Sequence, residues 1–129
     1  MGDFRDERPR ASGGCLCGAV RYTITGPLRD VLVCHCSVCR RTHGHEAAYA
    51  ACDRRHLVVE SVSELRWHEH DGARRAFCGR CGGRLFWERP DRPTISITAG
   101  TLDEPTGLRT MGHIYTEPGA DYGDPAPAG

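Results

Sequence analysis

A mainly β domain is the fold class this sequence predicts, on three observations. Apolar residues recur with a period of two, as where Val20, Tyr22 and Ile24 alternate with Arg21, Thr23 and Thr25, the pattern of a strand with one buried face. Short runs of this kind are separated by Gly-Pro, Asp-Gly, Gly-Gly and Arg-Pro steps that punctuate strands. No stretch holds apolar residues at three- and four-residue spacing for long enough to make an amphipathic helix.

Taken in order, residues 1–12 are charged and offer little to bury, so a mobile arm is expected there. The folded domain is expected over residues 13–117. After the strand around Tyr22, "DVLVCHC" (Asp30–Cys36) reads as a second strand, and a short helical turn is expected after Cys39. "EAAYAAC", "HLVVES", "ELRWHEH", "RLFWE" and "TISITAG" continue the β pattern; in "ELRWHEH", Leu65 and Trp67 alternate with Arg66 and His68. Residues 118–129 are rich in Pro and Gly and are expected to form a mobile tail. The 129 residues fit one domain with a modest core, of a size that metal ligation can reinforce.

Charge and composition exclude several classes of function. Seventeen basic residues balance seventeen acidic ones, so no net field draws the chain to nucleic acid or to an anionic membrane, and neither partner is expected. No apolar run approaches the roughly 20 residues that span a bilayer, and the opening residues lack the apolar segment of a secretory signal. The cytoplasm is the expected location. Lys, Asn and Gln are absent and every basic residue is arginine, which rules out lysine Schiff-base catalysis.

The eight cysteines carry the chemistry. Without a secretory signal, their C-x-C and C-x-x-C spacings read as metal binding and not as disulfides. In "CLC", Cys15 and Cys17 project from the same side of an extended chain, about 6.6 Å apart along the backbone, a gap two side chains can narrow onto one ion. In "CGRCGG", glycines permit the tight turn that lets Cys78 and Cys81 converge. Together these pairs make a closed four-thiolate zinc site that ties the start of the fold to a point late in the chain.

"CHCSVCRR" then holds three sulfurs, Cys34, Cys36 and Cys39, with no fourth in the motif. Three protein ligands and one open position is the arrangement of catalytic zinc. Zinc with three thiolates carries one net negative charge; it activates water poorly but accepts a soft thiol. The expected substrate is therefore a small thiol or a compound with a carbon-sulfur bond. Arg40 and Arg41 follow the last sulfur, where they can offset that charge or receive a substrate carboxylate. Cys52 lies outside any chelating spacing and is expected to pack as a small apolar residue. Among the histidines, His35 is expected to point away from the flanking cysteines, and His43 and His45 to be surface or hydrogen-bonded residues.

Over nearly the whole ordered chain, "GGCLCGAVRY", "CHCSVCRRTHG", "FCGRCGGRLFW", "TAGTLDEP" and "GHIYTE" resemble, in order and approximate spacing, the glutathione-dependent formaldehyde-activating enzymes, whose broader members are described as carbon-sulfur lyases. The resemblance implies a β-tent of small antiparallel sheets braced by zinc, a fold shared with a chaperone-like nucleotide-exchange factor of Rab GTPases. It implies two zinc ions: a structural one on Cys15, Cys17, Cys78 and Cys81, and a catalytic one on Cys34, Cys36 and Cys39. The implied reaction adds glutathione to formaldehyde, giving S-hydroxymethylglutathione. His113, in "GHIYTE", matches a histidine common near the family's C-terminus and is expected, with Arg40, to line the substrate site. Two other functions compete with this one: a non-enzymatic, chaperone-like binding module in which both zincs only brace a surface, and nucleic-acid binding through zinc knuckles, which the balanced charge disfavours.

Overall fold

The alternation around Tyr22 is what the fold buries: Val20, Tyr22 and Ile24 are fully inaccessible to solvent. The structure, a computed structural model, describes residues 10–116 and 120–122. Its strands are β1 (Ala11–Gly14), β2 (Arg21–Ile24), β3 (Arg29–Cys34), β4 (Ala47–Asp53), β5 (Leu57–Val59), β6 (Leu65–His70), β7 (Ala73–Cys78), β8 (Arg84–Glu88), β9 (Thr94–Thr98) and β10 (Thr110–Ile114). A single α-helix among the described residues, α1 (Ser37–His43), joins β3 to β4. The architecture is mainly β, as the period-two pattern predicts.

The strands form two sheets, a three-stranded one in the order β1-β2-β5 and a seven-stranded one in the order β10-β3-β4-β9-β8-β7-β6. Every pairing is antiparallel except that of β10 with β3. One core cluster fills the space between the sheets: Tyr22 and Ile24 come from the small sheet, and Ala50, Cys52, Ile95, Ile97, Ala76 and Phe86 from the large one. The Tyr22 ring meets Phe86 edge-on at 5.2 Å, a favourable aromatic geometry. Burial pushes the Tyr22 phenol up to about 12, and its hydroxyl pairs with Thr101 Oγ1 at 2.6 Å.

Three strands depart from the sequence pattern, each for a physical reason. β1 begins at Ala11, two residues before the expected start of the domain; the rest of the expected arm, residues 1–9, lies outside the described residues. Glycine is a poor strand former, yet Gly13 is required, because a Cβ there would collide with the Tyr22 hydroxyl and the Thr101 carbonyl oxygen. Gly13→Ala is expected to destabilise the domain by about 2 kcal/mol through this overpacking, read as a lowered urea midpoint with an unchanged slope. β7 carries Arg74 and Arg75 on opposite faces, so it shows no apolar period; Arg74 reaches the buried Glu88 carboxylate at 3.1 Å and lies over the Trp67 ring at 4.1 Å. β10 is an edge strand, mostly exposed, with little apolar alternation.

The helix starts before Cys39, not after it. Cys36 caps it, accepting the Cys39 N–H at 3.3 Å, and the chain leaves at Gly44, whose N–H returns to the Arg40 carbonyl at 2.8 Å. Of the expected tail, 118–119 and 123–129 lie outside the described residues; Tyr122 stacks on His45 with ring centroids 5.8 Å apart. Among the described residues no helix is long and apolar enough to cross a membrane.

Candidate functional site

Two groups of sulfurs converge, and they partition as the spacings predict. Cys15 and Cys17 follow β1, Cys78 ends β7, and Cys81 lies in the turn before β8; their four sulfurs all stand within 4.8 Å of one another. The Cys15–Cys17 separation is 3.7 Å and the Cys17–Cys78 separation 3.8 Å. A tetrahedral zinc with Zn–S bonds of about 2.3 Å sets its sulfurs about 3.8 Å apart, whereas a disulfide needs about 2.0 Å. The spacing is that of a chelate.

Local structure favours the anion at Cys15 and Cys81, whereas at Cys17 the hydrogen bond from the Ala19 backbone is outweighed by burial and the neighbouring thiols, which raise it to about 11. Backbone N–H groups point at sulfur from Val20 to Cys15 at 3.3 Å, and from Arg80 and Cys81 to Cys78 at 3.3 and 3.4 Å. Hydrogen bonds from the Cys17 and Gly83 backbones bring the Cys81 thiol down to about 6. Burial opposes ionisation of Cys15, but the Val20 N–H and the neighbouring thiols outweigh it and its pKa is lowered. Gly82, at φ 80°, turns the chain between Cys81 and β8.

The second group is Cys34 at the end of β3, Cys36 at the helix cap and Cys39 in α1, again within 4.8 Å. Cys34 and Cys39 are buried while Cys36 is half-buried. Hydrogen bonding from the Cys39 thiol, against the opposing cost of burial, brings Cys34 down to about 6; the same contact, with burial, pushes Cys39 up. Cys34 thus holds a negative charge readily, while Cys39 beside it resists one. Soft thiolate donors at this spacing fit zinc. Among the described residues no further Cys, His, Asp or Glu joins them.

Sheet register separates Cys52 from this group. Cys34 stands opposite Ala47, and Tyr49 opposite both Leu32 and Thr98, so these residues share one face of the large sheet. Cys52, an odd number of residues along β4, points to the other face, where it packs with Ala50, Ile95 and Ile97 in the core. Burial raises its thiol to about 11. It behaves as the small apolar residue expected.

The face carrying Cys34 also presents Ser96, opposite Trp87, and Arg75, opposite Trp87 on the next strand. Trp87 packs against the cluster of Cys34, Cys39, Ala47 and Tyr49. Arg75 is only 8% exposed, and its Nε and Nη1 have no hydrogen-bond partner among the described residues. A buried guanidinium with free donors is costly unless an anion meets it. Sequence reasoning missed Arg75, Tyr49 and Trp87; the signal available was the Arg-Arg pair in "GARRAF", which on any strand sends one arginine to each face.

Arg40 is half-buried on α1 with its Nε buried and unpartnered, whereas Arg41 is exposed. Arg84 donates from Nε to the Thr42 carbonyl at 2.9 Å, tying the β8 end to the helix. His113 meets His35 and Glu46, on β10 and beside β3, and is not grouped with the sulfurs. His43 hydrogen-bonds the Tyr49 hydroxyl at 2.9 Å, and burial, with the nearby cations Arg84 and Arg75, lowers its pKa to about 4. A depressed histidine stabilises the fold fully above its ordinary value of 6.5 and loses that contribution as pH falls toward about 4. Wild type is therefore expected to lose stability across this window faster than His43→Gln, which keeps a hydrogen-bonding group without the titration. Urea midpoints measured on both between pH 7 and pH 4 check this.

Residues 10–118 match the family described as glutathione-dependent formaldehyde-activating enzyme. A Halomonas elongata protein, provisionally named as such an enzyme, is 34% identical over 93 residues, which cover 64% of this chain and 59% of that protein. The chain thus aligns with about three fifths of that relative's length. The crystal structure of a Rhodobacter sphaeroides protein, 26% identical, superposes with a TM-score of 0.64 over 79% of this chain and 98% of the other. The cysteine partition, the two sheets and the extent of the family match agree: the chain belongs to the glutathione-dependent formaldehyde-activating enzyme family.

Proposed function

We propose that the chain is a two-zinc enzyme that adds a small thiol, glutathione above all, to formaldehyde, giving S-hydroxymethylglutathione, and that acts as a carbon-sulfur lyase in the reverse direction. The observation that carries this reading is the convergence of Cys34, Cys36 and Cys39 without a fourth protein donor among the described residues. A zinc on these three sulfurs would hold an incoming thiol as its thiolate, the nucleophilic form. In the forward reaction one carbon-sulfur bond forms, the carbonyl double bond becomes a C–O single bond, and the thiol proton ends on that oxygen; no redox partner is needed.

The chain's own residues position the thiol. Arg75, buried on the face of Cys34, offers free N–H donors to a carboxylate, and glutathione carries two. Arg40, on the helix that holds Cys39, is the second cation of the site, with a buried Nε that has no partner among the described residues. Trp87 and Tyr49 supply apolar walls that exclude water. Cys15, Cys17, Cys78 and Cys81 hold the bracing zinc. A purely bracing role for the triplet would need a closing ligand, and Cys52, the free cysteine left over, packs in the core on the opposite face. Open thiolates and glutathione both suit a reducing compartment such as the cytoplasm.

Exchange NMR with isotopically labelled formaldehyde tests the reaction. The zinc-loaded protein is expected to accelerate exchange between free glutathione and its hydroxymethyl adduct. Zinc-loaded protein that binds glutathione but leaves the exchange rate at the uncatalysed value overturns the reading.

A further inference from the structure

We infer that His35, Glu46 and His113 form a binding site for a divalent first-row cation such as zinc, separate from both cysteine groups. His35 and Glu46 flank α1, and His113 joins them from far along the chain because β10 lies parallel to β3, with Ile114 opposite Cys34 and the His35 N–H bonded to the Ile114 carbonyl at 3.0 Å. Their donor atoms all lie within 4.8 Å of one another. His35 Nε2 is 2.9 Å from His113 Nδ1 and 3.5 Å from Glu46 Oε2. Neighbouring ligands on a zinc with bonds of about 2.0–2.1 Å stand roughly 3–3.5 Å apart, so the spacing is that of a half-assembled coordination shell.

A plain hydrogen-bonded histidine pair accounts for less of this arrangement. A ring nitrogen carries one proton or one lone pair, directed along one line in the ring plane. His35 Nε2 faces both the His113 nitrogen and the Glu46 carboxylate, and one proton cannot serve both well. A cation set to the side of that line, reached by a small turn of the two rings, would meet all three donors. Two imidazoles and a carboxylate select zinc, cobalt or nickel over magnesium or calcium. Glu46 and His113 are exposed and His35 is partly so, which leaves room for water to complete the shell.

The position gives the site a role. His35 lies between Cys34 and Cys36, so an ion here pins the edge strand β10 to the segment that presents the sulfurs. The inference does not depend on the proposed reaction.

The test uses the full chain with its cysteine groups already loaded with zinc, to which further zinc is added in equilibrium dialysis with metal counting. Wild type is expected to take up one additional equivalent, with the imidazole NMR signals of His35 and His113 moving and those of the other five histidines still. His113→Ala, at an exposed edge position, is expected to lose that equivalent while retaining the cysteine-bound zinc. Absence of the extra equivalent in wild type, or its persistence in His113→Ala, overturns the inference.

Discussion

Cys78→Ser is expected to leave the chain without a cooperative folded state. Cys78 is fully buried at the end of β7, its sulfur accepts two backbone N–H groups, and it sits 3.8 Å from Cys17 in the four-sulfur group. That group joins the segment after β1 to the turn before β8, so an ion held there would cross-link the small sheet to the large one. Structural zinc binds to such sites with an apparent free energy of about 10–16 kcal/mol, comparable to or larger than the roughly 5–15 kcal/mol by which a whole domain is stable. Loss of near-ultraviolet circular dichroism and of a sigmoidal urea transition is the expected readout, and prolonged chelation of wild type should produce the same state. A Cys78→Ser protein with wild-type stability would show that the four sulfurs do not brace the fold.

Cys36→Ser is expected to behave in the opposite way, folding normally while losing thiol-dependent catalysis by a hundredfold or more, on the order of 3 kcal/mol in transition-state free energy. The two effects separate because Cys36 has a structural job in the helix cap and a proposed chemical one in the triplet. Its sulfur accepts the Cys39 N–H as the helix cap, and serine is a good residue for that position, so α1 is kept. Its proposed role, as the most exposed sulfur of the triplet, would require a soft thiolate that a serine hydroxyl does not replace. Circular dichroism, zinc content and the exchange NMR rate, measured together, separate these outcomes. A folded Cys36→Ser protein with undiminished turnover would remove the triplet from the chemistry.

The parts of this account visible in the sequence are those set by local spacing. Cysteines two or three residues apart can reach one ion whatever the wider fold, so the partition into Cys15, Cys17, Cys78, Cys81 and Cys34, Cys36, Cys39 could be read directly and is the grouping the structure brings together. The β2 alternation was equally local. β7 was hidden because Arg74 and Arg75 occupy both faces of a strand, and their partners, Glu88 and Trp87, are known only once β8 is paired with it. The face shared by Cys34, Tyr49, Trp87 and Arg75 depends on the strand order β3-β4-β9-β8-β7, a long-range property no short motif encodes. The fate of Cys52 turned on a single step of register along β4. His113, expected from family resemblance near the substrate, is held by β10 against His35, and His35 lies beside Glu46, a grouping that needs the β10–β3 pairing to be seen.

The central claim is that Cys34, Cys36 and Cys39 leave one coordination position for a thiol. Cobalt(II) replaces zinc and reports each thiolate bound to it through intense sulfur-to-metal absorption in the near ultraviolet. Titrating glutathione into the cobalt-substituted protein is predicted to add one saturable increment of that absorption per chain, and the increment should be absent in Cys36→Ser. A cobalt spectrum unchanged by glutathione, with all eight cysteines reduced, would contradict the account.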